Sequence, residues 1–334
     1  MAKNEVTGNI IEVKNLKVHF KLKGSLRQEI GSKAKVVRAV DGITFQIRED
    51  EILSLVGESG SGKTTTGKAL LQLVESEYEE FLFRGEPVNK KDKKSLKAFR
   101  RTAQMIYQDP YQSLNPRNRI LDIVAEPLDV NHLVKTPEER VERAKDALER
   151  AGLTPGEDFF YRYPYELSGG QRQRVVIASA MIMNPSFIVA DEPVSMLDAS
   201  IRISVLKLML DIRKQRNLAY LFITHDLSLA WLLSDRIAIM YLGKIMEIGQ
   251  ADTIIHHGSH PYTKALIQIM PKPGEKVTEE KKVLQGETPN PTDEISGCKF
   301  CSRCPEAIDK CRETAPEMQE IEDDHYVACH LVKR

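Results

Sequence analysis

Residues 57–64 have the composition of a phosphate-binding loop, reading Gly-Glu-Ser-Gly-Ser-Gly-Lys-Thr. Glycines let consecutive backbone N–H groups turn toward phosphate oxygens, and a helix that starts there directs its positive dipole end at the same charge. Lys63 can then reach the β- and γ-phosphates, and the Thr64 hydroxyl can bind Mg²⁺. The pattern predicts that a nucleoside triphosphate is held by Gly57, Ser59, Gly60, Ser61, Gly62, Lys63, Thr64 and Thr65.

Two carboxylates follow a second apolar run. Residues 187–190 read Phe-Ile-Val-Ala and are followed by Asp191 and Glu192. Asp191 suits a Mg²⁺ ligand acting through water, and Glu192 can accept a proton from a water molecule that attacks phosphorus. An exposed acidic helix start would also explain the pair alone, but the phosphate loop favours a catalytic role.

A third motif lies between these two. Residues 167–173 read Leu-Ser-Gly-Gly-Gln-Arg-Gln, and Ser168 comes 23 residues before Asp191. Ser168 and the backbone N–H groups of Gly169 and Gly170 are placed at a predicted helix start, which makes a second anion site. A Ser-Gly-Gly turn alone is weak evidence, but this position relative to the other two motifs makes it strong.

With these motifs the sequence resembles the ATP-binding subunits of ABC transporters. The resemblance implies that each ATP lies between the phosphate loop of one chain and residues 168–171 of another. It also implies that Gln108 contacts Mg²⁺ and water, that Ser195–Asp198 crosses the dimer interface, and that His225 senses the γ-phosphate. Phe20 lies where the family stacks an aromatic ring on adenine. On this basis we expect catalytic roles for Glu192, His225, Lys63 and Gln108, nucleotide contacts from Phe20, Ser168, Gly169, Gly170, Gln171 and Asp198, and Mg²⁺ contacts from Thr64, Gln108 and Asp191.

Within that family the sequence is similar to the oligopeptide and dipeptide importers. The features that carry this resemblance are residues 108–117 (Gln-Asp-Pro-Tyr-Gln-Ser-Leu-Asn-Pro-Arg), residues 260–264 (His-Pro-Tyr-Thr-Lys) and the cysteine-bearing tail. It implies an ATPase of a peptide importer, at the cytoplasmic face of the cell membrane. The expected partners are permease subunits, a second related ATP-binding subunit in a heterodimer and, indirectly, an extracytoplasmic peptide-binding protein.

The cysteines are confined to the tail, at positions 298, 301, 304, 311 and 329. Their spacing partly matches iron–sulfur binding, and four thiolates would equally suit structural zinc. The family resemblance implies a [4Fe–4S] cluster on Cys298, Cys304, Cys311 and Cys329, with Cys301 extra. Zinc, or no metal, are the alternatives.

The elements that must position these groups follow a strand–helix–strand order, which predicts a parallel sheet with crossovers. Strands are predicted at 10–20, 42–47, 51–56, 187–190 and 218–224, and helices at 199–215 and after Thr136. The resemblance implies an α/β fold: a P-loop (RecA-like) ABC ATPase core with an inserted helical subdomain, an antiparallel β edge and a small C-terminal extension. The corresponding divisions are 1–106 with 181–256 for the core, 107–180 for the helical subdomain, and 257–334 for a linker and metal-binding extension.

Composition limits the remaining possibilities. The 334 residues carry 48 basic and 48 acidic side chains, with 41% hydrophobic residues, as in ordinary globular proteins. Zero net charge disfavours the alternative of a soluble ABC ATPase acting on nucleic acid, with the tail as its binding module. A non-catalytic ATP-binding regulator is a third possibility, disfavoured by the carboxylate pair and His225. We expect neither a membrane-spanning helix nor a secretory signal.

Overall fold

The structure is a computed structural model that describes residues 8–22, 35–270 and 286–332. The chain divides into two compact units. One, here called the phosphate-loop unit, comprises Asn9–Ile47, Glu51–Pro87 and Phe222–Arg334. The other, here called the helical unit, comprises Met1–Gly8, Arg48–Asp50 and Val88–Leu221. The division into core, helical subdomain and extension remains a prediction.

The elements are as follows. The strands are β1 (Asn9–Lys21), β2 (Val36–Arg48), β3 (Ile52–Val56), β4 (Glu80–Phe83), β5 (Glu86–Pro87), β6 (Ala103–Ile106), β7 (Phe187–Asp191), β8 (Ala219–Thr224), β9 (Arg236–Tyr241), β10 (Lys244–Gln250), β11 (Gln319–Glu322) and β12 (His325–Val327). The helices are α1 (Lys63–Leu70), α2 (Lys93–Thr102), α3 (Pro110–Ser113), α4 (Ile120–Val130), α5 (Pro137–Arg150), α6 (Gly169–Met181), α7 (Ala199–Arg216), α8 (Leu227–Leu233), α9 (Ala251–His257), α10 (Pro261–Ile269) and α11 (Asp309–Glu313). Short 3₁₀ turns lie at Gly156–Phe159, Pro164–Glu166 and Cys301–Arg303.

In the phosphate-loop unit, β9 runs parallel to β3 and antiparallel to β10. Every residue of β3 is buried, as expected for an apolar strand that is covered on both faces. Strand β10 continues through β12 to β11 in antiparallel pairs, so the C-terminal tail extends the same sheet. Strands β1, β4 and β5 form antiparallel pairs, which supply the predicted antiparallel edge.

In the helical unit, β6 and β7 are parallel neighbours, with Ile106 opposite Ala190. Helices α4, α5 and α6 pack against one another. Helix α5 begins as the sequence indicates, because Pro137 occupies its first turn and the Thr136 hydroxyl accepts a hydrogen bond from Glu139 N. Helix α7 differs from its predicted range by a single residue at the C-terminal end.

The predicted strands are present as β1, β2, β3, β7 and β8, although β2 starts at Val36 rather than residue 42. Strands β9 and β10 were not predicted. Part of the predicted linker within residues 257–334 lies outside the described residues. Among the described residues, no helix is long and apolar enough to cross a bilayer.

Candidate functional site

The predicted phosphate loop connects β3 to α1 by way of a backbone turn that requires glycine. Gly62 has a φ of 105° and precedes the first residue of α1. A Cβ at Gly62 would lie 2.1 Å from the Ala39 carbonyl oxygen, which no side chain tolerates. Gly243 N donates to the Ser61 carbonyl over 2.8 Å. These contacts seat the N-terminus of α1 directly behind the loop, where its N–H groups can face an anion.

Lys63 is held inside this loop. Its Nζ donates to the carbonyl oxygens of Gly57 (2.8 Å) and Glu58 (2.9 Å), and the residue is 6% exposed. Ser61 Oγ is buried without a hydrogen-bond partner among the described residues. A buried ammonium group and an unsatisfied hydroxyl are suited to a polyanionic ligand. The loop therefore fits a triphosphate.

The outer part of the loop is open. Ser59 and Gly60 are exposed, whereas Thr64 and Thr65 are half-buried in the first turn of α1. The Thr64 hydroxyl is of the type that binds Mg²⁺ beside a triphosphate. The chemistry of this donor set agrees with Mg²⁺, which prefers oxygen ligands.

The carboxylate pair lies at the end of β7. Asp191 is the last residue of the strand and is 3% exposed. Glu192 follows with a φ of 44°, and its carbonyl oxygen accepts hydrogen bonds from Ser195 N (3.2 Å) and Ser195 Oγ (3.1 Å). Its carboxylate Oε2 accepts a hydrogen bond from Gln108 Nε2 over 3.1 Å. The structure thus brings together Gln108 and Glu192, which 84 positions separate.

Ser168 is the N-cap of α6. Its Oγ accepts from Gln171 N (3.3 Å), and Gln171 Oε1 accepts from Ser168 N (3.0 Å), which is a reciprocal capping box. Ser168 is exposed, and the cap uses its hydroxyl as an acceptor. The hydroxyl hydrogen can therefore donate to an approaching anion.

Helix α6 approaches the start of α7 closely. A Cβ at Gly170 would lie 2.5 Å from Ile201 Cγ2, and one at Gly169 would lie 3.8 Å from Leu197 Cδ2. Asp198 is the exposed N-cap of α7, and Met196 is 56% exposed. Residues 168–171 and 195–198 therefore share one surface of the helical unit.

The other predicted residues lie in the phosphate-loop unit. Phe20 is near the end of β1 with 43% of its surface exposed, as a ring that stacks on a base requires. His225 is exposed directly after β8. The predicted residues therefore form two groups: the phosphate loop, Phe20 and His225 in one unit, and Gln108, Asp191, Glu192, residues 168–171 and Asp198 in the other.

The sequence analysis missed a set of contacts to Glu58, the second residue of the phosphate loop. Arg303 Nη1 contacts its carboxylate at 2.9 Å, and Tyr262 OH accepts a hydrogen bond from its backbone N at 3.1 Å. Because 204 and 245 positions separate these partners from Glu58, local patterning could not reveal them. The only signal was the segment 260–264, which contains Tyr262.

The predicted [4Fe–4S] cluster, and with it the zinc alternative, is wrong: within 8–22, 35–270 and 286–332, no group of three or more His, Cys, Asp or Glu side chains is arranged to hold a metal ion. Burial explains what these cysteines do instead. It raises the pKa of the Cys298 thiol to about 11 and raises the pKa of the Cys304 and Cys329 thiols. A protonated thiol is a poor metal ligand and behaves as a small apolar group. Cys298 and Cys311 belong to the core around β9 and α10, with Cys301 and Cys304 packed against it.

Comparison with known proteins gives two family matches. Residues 40–195 match the ABC transporter family, and residues 246–311 match the family described as oligopeptide/dipeptide transporter, C-terminal region. The oligopeptide transport ATP-binding protein AppF of Bacillus subtilis is 43% identical over 96% of this chain and 97% of its own length. OppF of Streptococcus mutans, described in the same words, is 44% identical over 95% of this chain and 94% of its own.

Among solved structures, the ATP-binding cassette MJ0796, a dimer in a post-hydrolysis state bound to ADP and Pi, matches with a TM-score of 0.62 and 28% identity. The match covers 72% of this chain and 98% of the MJ0796 chain. The predicted α/β ATP-binding cassette fold is confirmed. The alternative of an ATPase acting on nucleic acid finds no support in these matches.

Proposed function

Because this chain belongs to the ABC transporter ATP-binding proteins of the oligopeptide type, we propose that it hydrolyses ATP to power peptide import through a membrane permease. Relatives that match along nearly its whole length are described as oligopeptide transport ATP-binding proteins. The observation that carries the chemistry is the Lys63 ammonium held inside the loop between β3 and α1, ready to exchange carbonyl partners for phosphate oxygens.

Hydrolysis follows from the two carboxylates and the loop. Water attacks the γ-phosphorus, a new P–O bond forms, and the bond to the β–γ bridging oxygen breaks to release ADP and phosphate. Glu192 takes the proton of the attacking water. Gln108 orients the Glu192 carboxylate, and Lys63 offsets the charge on the phosphoryl oxygens. Mg²⁺ bound at the Thr64 hydroxyl would supply further charge neutralisation.

The second phosphate contact comes from another chain. Ser168 is exposed, is fixed by its capping box and retains a hydroxyl hydrogen to donate. We assign it, with Gly169, Gly170 and Gln171, to the γ-phosphate bound by a partner ATP-binding subunit. Asp198 and Met196 lie on the same surface and extend that interface. A related but distinct ATP-binding chain is the partner that we propose.

The permease contact is assigned to exposed aromatic side chains of the helical unit. Tyr111, Tyr161 and Tyr165 are 62%, 70% and 66% exposed. The Arg172 guanidinium lies 4.1 Å from the Tyr111 ring centroid, and Arg119 lies 5.4 Å from that of Tyr161. Exposed rings of this kind are enriched at protein interfaces. Docking there would place the chain at the cytoplasmic face of the membrane, with an extracytoplasmic peptide-binding protein acting on the other side.

The test is transport by the assembled complex. The chain is co-purified with its permease and partner ATP-binding subunit, reconstituted in lipid vesicles and supplied with a peptide-loaded binding protein. We expect peptide uptake that requires ATP, and Glu192→Gln should bind ATP yet hydrolyse it about 10² to 10⁴ times more slowly. Turnover by Glu192→Gln within a few-fold of the unaltered chain would remove Glu192 as the base. ATP hydrolysis without peptide uptake would refute the transport function.

A further inference from the structure

Glu58 places a carboxylate in the phosphate loop, as the second of its residues 57–64. Its side chain is 29% exposed. An uncompensated negative charge there would repel the ligand, and the repulsion would be strong because partial burial limits screening by water and salt. The structure supplies a counter-charge from the opposite end of the chain.

Arg303 supplies that charge. Its Nη1 lies 2.9 Å from Glu58 Oε2 and 3.2 Å from Oε1, and its side chain is 8% exposed. Thr288 Oγ1 donates a further hydrogen bond to Glu58 Oε2 over 2.9 Å. The same Nη1 lies 3.3 Å from Tyr241 OH. A buried, multiply hydrogen-bonded guanidinium holds a carboxylate far more firmly than an exposed surface pair does.

The backbone of Glu58 is also held by hydrogen bonds. Its N–H donates to Tyr262 OH over 3.1 Å, and its carbonyl oxygen accepts from Lys63 Nζ over 2.9 Å. The C-terminal tail, through Arg303, therefore contacts Glu58. Glu58 is in turn a direct hydrogen-bond partner of Lys63, the lysine that we expect to receive the phosphates.

An aromatic cluster anchors the tail at this point. The ring centroids of Tyr241 and Tyr262 lie 4.8 Å apart, and the Phe300 ring lies 5.3 Å from Tyr241 and 5.2 Å from Tyr262. Phe300 is fully buried and immediately precedes the 3₁₀ turn that carries Arg303. Burial of these rings fixes the turn, so Arg303 is held in place before any nucleotide arrives.

We propose that Arg303 is a positioning residue for ATP binding: it neutralises Glu58 and holds the phosphate loop in its receptive shape, so that the C-terminal tail sets the ATP affinity of the loop. This rests on the proposed function, since it concerns ATP binding by the same loop. It adds a role for the tail that requires no bound metal.

The test measures ATP affinity and turnover in a set of variants of the full chain within the assembled complex. Arg303→Ala should raise the Kd of a non-hydrolysable ATP analogue and the KM for ATP about tenfold, since the Glu58 carboxylate in the phosphate loop then lacks its counter-charge. The kcat should change little. Arg303→Lys should recover part of the loss, because lysine keeps the positive charge but has fewer hydrogen-bond donors than arginine. Arg312→Ala, which removes an exposed arginine from the same tail, is the matched control and should leave both constants unchanged.

The decisive variant combines Arg303→Ala with Glu58→Gln. If charge compensation is the function of Arg303, removal of the carboxylate charge should restore the Kd to within about twofold of the unaltered chain. The effect of Arg303→Ala should also shrink as ionic strength rises. An unchanged Kd in Arg303→Ala, or a double variant as weak as Arg303→Ala alone, would overturn the proposal. An unaltered chain that bound no ATP would instead refute the proposed function, and this inference with it.

Discussion

The side-chain amide of Gln108 donates a hydrogen bond to the carboxylate of Glu192, and each residue lies two positions after one member of a paired position in the β6–β7 ladder. Ile106 and Ala190 are opposite each other in the parallel ladder, and Gln108 Nε2 donates to Glu192 Oε2 over 3.1 Å. Equal offsets from a register pair bring both side chains to the same edge of the sheet. The orientation of the proposed base is therefore fixed by strand register.

Replacing Gln108 tests that orientation. Gln108→Ala removes a hydrogen bond worth about 1 kcal/mol and lets the Glu192 carboxylate rotate, so we expect kcat for ATP hydrolysis to fall at least fivefold. The Kd for ATP should change little, and steady-state kinetics with a binding assay separates the two. In a Glu192→Gln background the same substitution should have almost no further effect on kcat. Full additivity of the two losses would show that Gln108 acts elsewhere.

Ser168→Asp separates the structural role of Ser168 from its proposed role at the γ-phosphate. Aspartate is as good an N-cap as serine, so α6 should keep its stability to within about 0.5 kcal/mol. The added carboxylate would repel the phosphate offered by the partner chain, and ATP-driven dimerisation and hydrolysis should both be lost. Size-exclusion chromatography with ATP and a phosphate-release assay measure these effects, with thermal unfolding as the control. Normal hydrolysis by this variant would contradict the shared site.

Gly62→Ala should abolish nucleotide binding. The alanine would have to adopt a φ of 105° and would place its Cβ 2.1 Å from the Ala39 carbonyl, so the loop cannot keep its form. Gly85→Ala is the matched control, since Gly85 also has a positive φ, of 76°, but nothing within 4 Å of the added Cβ. It should lose about 1 kcal/mol of stability and bind ATP normally. Equal ATP affinities in the two variants would refute the close-approach argument.

The buried side chain of His260 should make the folded protein less stable in acid. Burial lowers its pKa to about 4 from an ordinary value of 6.5, while its Nδ1 accepts a hydrogen bond from Tyr262 N. Below pH 6.5 the unfolded chain binds a proton at His260 that the folded chain takes up only near pH 4. Stability from this residue is therefore complete above pH 6.5 and declines as the pH falls toward 4, by about 2 kcal/mol at pH 5.

The matched variant for that prediction is His260→Asn. Asparagine can still accept the bond from Tyr262 N at the start of α10, but it does not titrate. Denaturant unfolding at pH 5 and pH 8 should show a smaller pH dependence in the variant, by about 2 kcal/mol. An unaltered pH dependence would mean that His260 does not contribute to acid sensitivity.

The parts of the site that sequence reasoning predicted are those whose chemistry is local. A glycine-rich turn before a helix, an acidic pair after an apolar strand and a serine at a helix start are each defined within a few residues, and α1, β7 and α6 begin or end where those signals indicate. The burial of β3 likewise follows from its own residues, because a continuous apolar strand has to be covered on both faces.

The remainder depends on contacts between distant segments. Arg303 has no local feature that distinguishes it from Arg312, and only the folded chain shows that one is buried against Glu58 while the other is exposed. For the cysteines, the sequence predicted a function that the structure does not support. Their spacing is typical of metal ligands, but burial raises the pKa of the Cys298, Cys304 and Cys329 thiols and so disfavours the thiolate that a metal binds. Spacing along a chain gives neither the environment of a side chain nor its distance from another.

The contact between Arg303 and Glu58 also bears on how the protein is prepared. A shortened chain that ends at residue 270, after α10, would retain all the predicted nucleotide-binding motifs, from the glycine-rich turn to His225. It would nevertheless lack Thr288, Phe300 and Arg303. The Glu58 carboxylate in the phosphate loop would therefore have lost the buried Arg303 guanidinium that pairs with it. Kinetic constants obtained from such a minimal cassette would describe a different enzyme from the one that the intact polypeptide forms.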